Sequence, residues 1–306
     1  MMPQPGPVPV GRYFSEPHFG SHVPACGGRC MVANLETWPF GCKNLIFISI
    51  LMVAAPTVVW LIFLAPELWS TVSPVLPLLG VALFVVVLVY LALAWATEPG
   101  ILHVLTHNGE KWFIQCRGSM PHLEYELIDF RAKFCRETGN CIENFDHFCP
   151  WVGNAVGIRN YRYFVLFVGN VNLLAVYIFT TSAMYIVIQV EATAPTVSMD
   201  NFMMFAWDSL PALSLLAYSF VILLTVCGLF GYHLSLIMKS QTTNEDLKKV
   251  YLNKKNPYDV GCCTNIANFV CKAPRGSVII AAHDPKSMAK IKLIPNKQRD
   301  GNGVVA

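Results

Sequence analysis

The sequence predicts an all-α integral membrane protein with four transmembrane helices and a cytosolic, mostly irregular loop between the second and third helices. The first observation behind this fold class is composition. Hydrophobic residues make up 54% of the 306 residues and charged residues only 13%, whereas a soluble domain carries about 25% charged residues. The second observation is that four long apolar stretches contain almost no charged residues, and each has the roughly 20 residues that a spanning helix needs.

The four apolar stretches lie near 44–66, 73–97, 163–189 and 209–237. The first is too long for the apolar part of a signal peptide, and no small-residue cleavage site follows it. We therefore expect an N-terminal segment, a first helix pair, a cysteine-rich-type loop, a second helix pair and a basic tail, with the bounds 1–43, 44–97, 98–162, 163–238 and 239–306.

The distribution of Lys and Arg predicts the orientation. Residues 1–43 contain three of the 22 Lys and Arg residues, 98–162 contain seven and 239–306 contain twelve, whereas 67–72 and 190–208 contain none. The positive-inside rule then places both termini and the middle loop in the cytosol. All cysteines but Cys227 would face the cytosol and are expected to be thiols. Membrane lipids are expected partners, and nucleic acid is not.

The third and fourth stretches contain polar residues, among them Asn170, Asn172 and Ser214. Unpaired polar groups are costly in lipid, so these side chains are predicted to form hydrogen bonds between helices. A transport pathway is disfavoured, because no Asp, Glu, Lys or Arg lies mid-membrane and ion or proton routes usually need one.

The middle loop brings three reactive side chains together in sequence: Asp146, His147 and Cys149. An imidazole next to a thiol lowers its pKa or takes its proton, and a carboxylate next to the imidazole fixes its tautomer. The pattern indicates a thiol nucleophile. Residue types and spacing alone leave two alternatives open, a structural metal cluster and a chance grouping in a polar loop.

Four separated motifs resemble the DHHC protein S-acyltransferases, or palmitoyltransferases. The central one runs from Asp146 to Trp151 and continues through the Arg-Asn-Tyr-Arg run at 159–162. The outlying ones resemble the family's Asp-Pro-Gly, Thr-Thr-x-Glu and C-terminal elements, and they comprise Glu98-Pro99-Gly100, Thr242-Thr243-Asn244-Glu245, and Asn256-Pro257-Tyr258 with Asn265. The likeness covers about residues 40–275 and is nearest to the subgroup of the yeast Ras palmitoyltransferase and its Golgi relatives in animals.

The resemblance implies an enzyme that moves a palmitoyl group from acyl-CoA, through an acyl-Cys149 intermediate, to cysteine thiols of cytosolic-face proteins. His147 would act as base and Asp146 would orient it. Trp151 would line the site of the acyl chain or serve as an aromatic anchor at the membrane–water interface. Arg159 and Arg162 would bind CoA phosphates or be ordinary positive-inside charges. Four further residues belong to structural motifs of the family: Asn160, Thr242, Thr243 and Asn265.

The resemblance also implies two zinc sites, and here the chain departs from the family. Only Cys135 and Cys141 remain of eight ligands, and they belong to different sites. At the six positions where the family's ligands are absent, this chain has Pro121, Glu124, Phe134, Thr138, Phe148 and Ala155. Structural zinc needs four ligands, so neither site is expected to form and no cofactor is expected. A site rebuilt from nearby side chains stays open, from Cys116, His122, His103 or His107.

The apolar replacements Phe134 and Phe148 predict a small hydrophobic cluster in place of metal. Loss of the zinc ligands leaves the three catalytic residues intact, and the alternative to an enzyme is a catalytically silent scaffold or substrate-binding subunit. An accessory subunit stays open. The resemblance places the protein in the Golgi or endoplasmic reticulum, with the plasma membrane as a further option. Near the fourth span, three cysteines are either S-acylation sites or buried small hydrophobes: Cys262, Cys263 and Cys271.

Overall fold

Among the residues that it describes, the computed structural model has four helices that are long and apolar enough to cross a membrane, which confirms the predicted fold class. It describes residues 22–25, 30–33, 45–102, 104–107, 110–113, 131–193 and 199–272. The long helices are α1 (Leu45–Phe63), α3 (Val75–Ala96), α4 (Tyr161–Thr193) and α5 (Met199–Met238), and a short helix α2 (Ala65–Thr71) follows α1.

The third and fourth long helices extend beyond the apolar stretches that predicted them. α4 begins at Tyr161 and ends at Thr193, and α5 begins at Met199 and ends at Met238. Prolines lie inside two helices, Pro56 in α1 and Pro211 in α5. Spanning helices tolerate proline where neighbouring helices and side chains satisfy the freed backbone groups.

The helices pack closely at a glycine contact. A Cβ placed on Gly80 of α3 would lie 2.7 Å from the Trp60 ring and 2.9 Å from the Tyr177 ring, so only glycine allows this approach of α3 to α1 and α4. The same tryptophan donates its indole N–H to the Thr181 hydroxyl at 2.9 Å. This contact leaves the buried Trp60 ring without an unpaired polar atom.

The polar residues of the spans behave differently from one another. The amide of Asn172 donates to Val168 in its own helix at 2.9 Å and to the Val226 carbonyl of α5 at 3.3 Å, so it joins two helices as expected. Asn170 and Ser214 donate to carbonyls of their own helices. For these two the interhelical prediction is wrong, because a carbonyl one turn back in the same helix satisfies the side chain more directly.

The loop between α3 and α4 is not irregular throughout, because short antiparallel strand pairs organise it. Strand β7 is central to a three-stranded sheet in the order β3-β7-β6, and β8 pairs with β9. A separate pair, β4 with β5, lies earlier in the loop, and β1 pairs with β2 before α1. Their bounds are His22–Ala25, Cys30–Ala33, Ile101–Leu102, Val104–His107, Glu110–Phe113, Lys133–Cys135, Asn140–Ile142, His147–Cys149 and Asn154–Val156 for β1 to β9 in order.

Two buried asparagines attach this loop to the end of α3. Asn160, which is fully buried, donates to the carbonyls of Ala94 and Ala155 and accepts the Gly157 N–H. Asn154 donates to the carbonyls of Trp95 and Thr97. The carbonyls at the C-terminal end of α3, which have no partner within the helix, are thereby satisfied by the loop, and the loop is fixed against the helix bundle.

The segment after α5 attaches to the same loop through a buried ion pair. Thr242 caps the short helix α6 (Thr243–Leu247) in a capping box with Glu245. The Glu245 carboxylate also accepts two hydrogen bonds from Arg131, at 2.9 and 2.6 Å, and Arg131 lies over the Tyr258 ring at 4.5 Å. Removing one partner of such a buried pair costs about 3–5 kcal/mol.

A last helix, α7 (Cys262–Cys271), lies against the end of α5. The Asn265 amide fixes it by donating to the Met238 carbonyl and to the Asp259 carboxylate, both at 2.7 Å. Its three cysteines are exposed. The interpretation of these cysteines as buried small hydrophobes is therefore wrong, because the helix turns its Asn265 face, not its cysteines, toward the protein.

Candidate active site

The hairpin formed by β8 and β9 carries the predicted nucleophile and base. Residues two apart on a strand share a face, so His147 and Cys149 lie on one side of β8 and Phe148 lies on the other. Gly153 allows the turn of this hairpin, since its φ of +72° is in the left-handed region. The two faces meet different surroundings: Cys149 belongs to the helix core, whereas Phe148 packs on a separate small cluster in the loop.

The three predicted catalytic residues meet in space as the sequence predicted. Asp146 Oδ2 lies 2.7 Å from His147 Nδ1, and Cys149 lies on the same face of the strand, close enough to interact electrostatically with the imidazole. Thr243, from the motif after α5, donates its N–H to Asp146 Oδ1 at 2.8 Å and its hydroxyl to Oδ2 at 2.7 Å. The buried carboxylate is thus fixed from two sides.

These contacts determine the charges of the pair. Burial disfavours both charged forms, but the hydrogen bonds and charges of Asp146 and Cys149 outweigh it and raise the pKa of His147 to about 9. The contacts from His147 and Thr243 likewise outweigh burial and lower the pKa of Asp146. At neutral pH the site therefore holds the Asp146 carboxylate next to the His147 imidazolium, and a positive charge beside a cysteine is the environment that favours a reactive thiolate.

An apolar cavity of about 380 Å³ extends from Cys149 into the membrane-spanning region between α1, α4 and α5. Its lining is almost entirely apolar and includes Val53, Phe167, Leu174 and Ile178. The rim includes side chains that are exposed on the outside of the helix bundle: Met52, Trp151 and Leu229. This shape suits a long aliphatic chain whose reactive end lies at Cys149.

The predicted acyl-CoA residues differ in their contacts. Trp151 lines the cavity, and its carbonyl accepts the Ser49 hydroxyl of α1 at 2.8 Å. Arg159 forms an ion pair with the buried Glu98 carboxylate, which also accepts the backbone N–H groups of Gly100 and Ile101. Arg162 contacts the Lys272 carbonyl and lies 5.8 Å from the Phe269 ring. A phosphate-binding role for the two arginines stays a prediction.

Two residues are left from the family's zinc sites. Cys135 is fully buried and packs in a hydrophobic cluster with Ile142 and Phe145. Cys141 is disulfide-bonded, so the expectation that every cytosolic cysteine is a thiol is wrong for this residue. The side chains proposed for a rebuilt site lie outside those that the structure describes: Cys116, His122, His103 and His107.

A small hydrophobic cluster occupies this part of the loop instead. Phe148 packs against Cys135, Ile142, Phe145 and Ala155. Three of these five positions, 135, 148 and 155, are among those where the resemblance implies zinc ligands. The predicted cluster is confirmed for Phe148, whereas Phe134 is not part of it. Apolar packing thereby joins the β6–β7 sheet to the back of the catalytic hairpin.

The zinc content remains a prediction with a direct measurement. We expect the purified protein to contain well under two zinc ions per chain by elemental analysis, and its melting temperature to be insensitive to a strong chelator. Phe148→Ala is expected to lower the melting temperature, because it leaves a cavity that costs roughly 3–5 kcal/mol. Two equivalents of zinc that are lost on replacing Cys135 and Cys141 would contradict this account.

Sequence reasoning missed two side chains beside the catalytic imidazole. Phe164 of α4 packs edge-on to His147 with ring centroids 5.1 Å apart, and the ring centroid of His233 of α5 lies 5.9 Å from that of His147. An available signal was that His233 is the one histidine of the sequence inside an apolar stretch. Phe164 carries no comparable signal, because phenylalanine is common in spanning helices.

Comparison with known proteins agrees with this geometry. The family described as DHHC palmitoyltransferase matches residues 126–250, the part that contains the catalytic hairpin and the Thr243 motif. Palmitoyltransferase ZDHHC9 of Danio rerio is 30% identical over 271 residues, covering 78% of this chain and 66% of the relative. Palmitoyltransferase ZDHHC5 of Homo sapiens is 27% identical over 248 residues, covering 74% and 32%.

The fold and the site define a membrane protein in which a buried cysteine, beside an Asp–His pair, lines an apolar cavity between the spanning helices. The chain belongs to the DHHC palmitoyltransferase family. It spans about two thirds of the length of the zebrafish ZDHHC9 relative and about a third of the human ZDHHC5 relative.

Proposed function

We propose that this protein is a protein-cysteine S-palmitoyltransferase. The observation that carries the proposal is the Asp146–His147–Cys149 arrangement at the opening of a membrane-embedded apolar cavity. Palmitoyl-CoA is the proposed donor, and cysteine thiols of proteins at the membrane surface are the proposed acceptors. The intact catalytic geometry supports an enzyme, and no observation favours a silent scaffold.

The reaction follows from the charges at the site. In the first step the Cys149 thiolate attacks the thioester carbon, a new S–C bond forms, and the CoA thiolate leaves with the proton that His147 holds. In the second step the neutral His147 takes the proton of an acceptor thiol, whose sulfur attacks the acyl-enzyme and releases Cys149. Asp146 keeps Nδ1 protonated and supports the positive charge of the ring in both steps.

The cavity explains why this chemistry suits a membrane. A buried methylene contributes about 0.8 kcal/mol relative to water, so an acyl chain does not leave the bilayer for an aqueous pocket. The apolar lining offers a similar environment to the bilayer, and the chain can enter without that cost. The thioester then lies at the cytosolic end of the spans, where Cys149 is placed.

The function is tested by incubating the purified full chain in lipid nanodiscs with labelled palmitoyl-CoA. We expect a hydroxylamine-sensitive label on the protein within minutes, followed by its transfer to an added peptide that contains a cysteine near a membrane anchor. A peptide with serine in place of that cysteine is the control. A folded protein that takes no label, beside an active relative in the same assay, would favour the scaffold alternative.

We also propose that both termini and Cys149 face the cytosol. The support is the distribution of Lys and Arg, since all 22 lie in segments on one side of the predicted spans. An engineered N-glycosylation acceptor in 190–208 is therefore expected to be glycosylated in cells, and one near residue 20 is not. A gel-shift assay with glycosidase treatment measures both, and the reverse pattern would overturn the topology.

Compartment, accessory subunit and self-acylation extend the proposal. Golgi or endoplasmic reticulum location, and dependence on an accessory subunit, rest on the subgroup resemblance alone. The exposed position of Cys262, Cys263 and Cys271 on α7 supports S-acylation there. The helix packs on the end of α5, so acyl groups on these cysteines can reach the membrane surface.

A further inference from the structure

We propose that His233 is a positioning residue that holds the catalytic imidazole of His147, and that Tyr161 orients His233 for this role through a hydrogen bond. The inference rests on the proposed acyltransfer at Cys149 and adds to it a residue outside the Asp146–His147–Cys149 group. It names a second histidine, from the interior of the α5 helix, as part of the apparatus that keeps the catalytic ring in place.

The first observation is the packing around His147. Its ring packs against two rings that also contact each other, that of Phe164 at a centroid distance of 5.1 Å and that of His233 at 5.9 Å. Phe164 and His233 also contact each other edge-on at 4.9 Å. The ring of His147 therefore rests on a wall made by one residue from α4 and one from α5, on the side away from its hairpin.

The second observation is that His233 is itself held in place. It is 2% exposed, and its Nδ1 lies 3.2 Å from the Tyr161 hydroxyl at the start of α4. We assign the hydroxyl as the donor, because a phenol donates readily to an imidazole nitrogen that carries no proton. This bond fixes the rotation of the His233 ring and hence the face that it presents to His147.

The third observation is that α5 and the segment directly after it contact both members of the catalytic pair, the Asp146 carboxylate and the His147 ring. α5 carries His233 near its cytosolic end, and the residues directly after it supply Thr243 to Asp146. The titratable side chains that surround the two imidazoles are Asp146, Cys149, Tyr161 and Tyr232. Of these, Asp146 and Cys149 act on His147 directly.

The contact with Phe164 and His233 can stabilise the positive charge of the His147 imidazolium. Aromatic rings attract a neighbouring cation, and a ring confined to one rotamer keeps its charge beside Cys149. If His233 is removed, His147 can turn away from the hairpin part of the time. The thiolate of Cys149 then loses some of its counter-charge, and its reactivity moves to higher pH.

The test measures the reactivity of Cys149 against pH in the full chain in nanodiscs. Hydroxylamine first removes any acyl groups, and isotope-coded iodoacetamide then labels thiols from pH 5 to 10, with the peptide of each cysteine quantified by mass spectrometry. The exposed Cys262 and Cys263 in the same sample are internal controls. Palmitoyl-CoA loading at pH 7 is measured on the same preparations.

His233→Ala is expected to raise the midpoint of Cys149 alkylation by about one pH unit and to slow loading about tenfold. His233→Phe keeps a ring and is expected to shift the midpoint by less than half as much. Phe230→Ala is the matched control, since Phe230 packs against Gly169 in the same α4–α5 interface. It is expected to lower the melting temperature and to leave the Cys149 midpoint unchanged.

A double-mutant comparison decides whether Tyr161 acts through His233. Tyr161→Phe is expected to shift the Cys149 midpoint in the wild-type background and to add no shift in the His233→Phe background. An equal shift in both backgrounds would overturn the proposed link. If His233→Ala left the pH midpoint of Cys149 alkylation unchanged and the loading rate within twofold of wild type, the positioning role would be overturned. If His233→Ala does not fold, the Tyr161→Phe and His233→Phe results decide the same question.

Discussion

Cys149→Ser is expected to abolish the hydroxylamine-sensitive palmitoyl label that wild-type protein acquires from palmitoyl-CoA. A serine hydroxyl is a far weaker nucleophile at neutral pH than a thiolate, and the imidazolium that favours a thiolate at this position cannot ionise an alcohol. Cys149 is buried, with its sulfur at the opening of the apolar cavity, so no other described cysteine shares its environment.

The measurement is radiolabel or click-label incorporation with the labelled residue identified by mass spectrometry. Cys227→Ser is the matched control, because Cys227 lies in a spanning helix and is exposed on its surface rather than in the site. It is expected to keep the label. If Cys149→Ser retained the label while replacement of Cys135 or Cys141 removed it, the nucleophile would have to be reassigned.

His147→Ala is expected to slow acyl loading by about 10²–10⁴-fold, the range for loss of a general acid–base group. The variant loses both the proton that the CoA thiolate receives and the positive charge beside Cys149. Asp146→Asn is expected to slow loading as well, because an amide cannot support the imidazolium and allows the wrong tautomer. The Thr243 contacts to Asp146 are retained in part, so the loop keeps its fold.

Single-turnover loading at pH 7, with circular dichroism as the check on folding, measures these effects. External imidazole is expected to restore part of the rate in His147→Ala but not in Cys149→Ser. Unchanged loading in a folded His147→Ala variant would remove His147 from the mechanism. It would also remove the reason for a wall formed by Phe164 and His233.

The spans and the catalytic residues were predictable because each has a strong local signal. Twenty apolar residues have few alternatives to a spanning helix, and the Asp146-His147-Phe148-Cys149 run supplies base, orienter and nucleophile within four positions. Strand alternation then explains why Phe148 points away from the chemistry. A position inside the catalytic run can therefore serve packing alone.

The remaining parts of the site depend on contacts between distant residues, which a local pattern does not contain. Arg131 pairs with Glu245 across 114 positions of sequence, and Thr243 reaches Asp146 across 97. Tyr161 and His233 are 72 positions apart. The ion pair between Arg159 and Glu98 is a further contact of this kind, because it depends on how the loop folds back on α3. The phosphate-binding role suggested by the sequence position of Arg159 stays a prediction.

The position of the cavity rim has a kinetic consequence. Because Met52, Trp151 and Leu229 lie at the outside of the bundle, the proposed function implies that the acyl donor reaches Cys149 sideways from the leaflet. The enzyme then responds to the number of donor molecules per lipid molecule rather than to their concentration in bulk water. Added inert lipid dilutes the substrate even at constant volume, so such an enzyme follows two-dimensional surface kinetics.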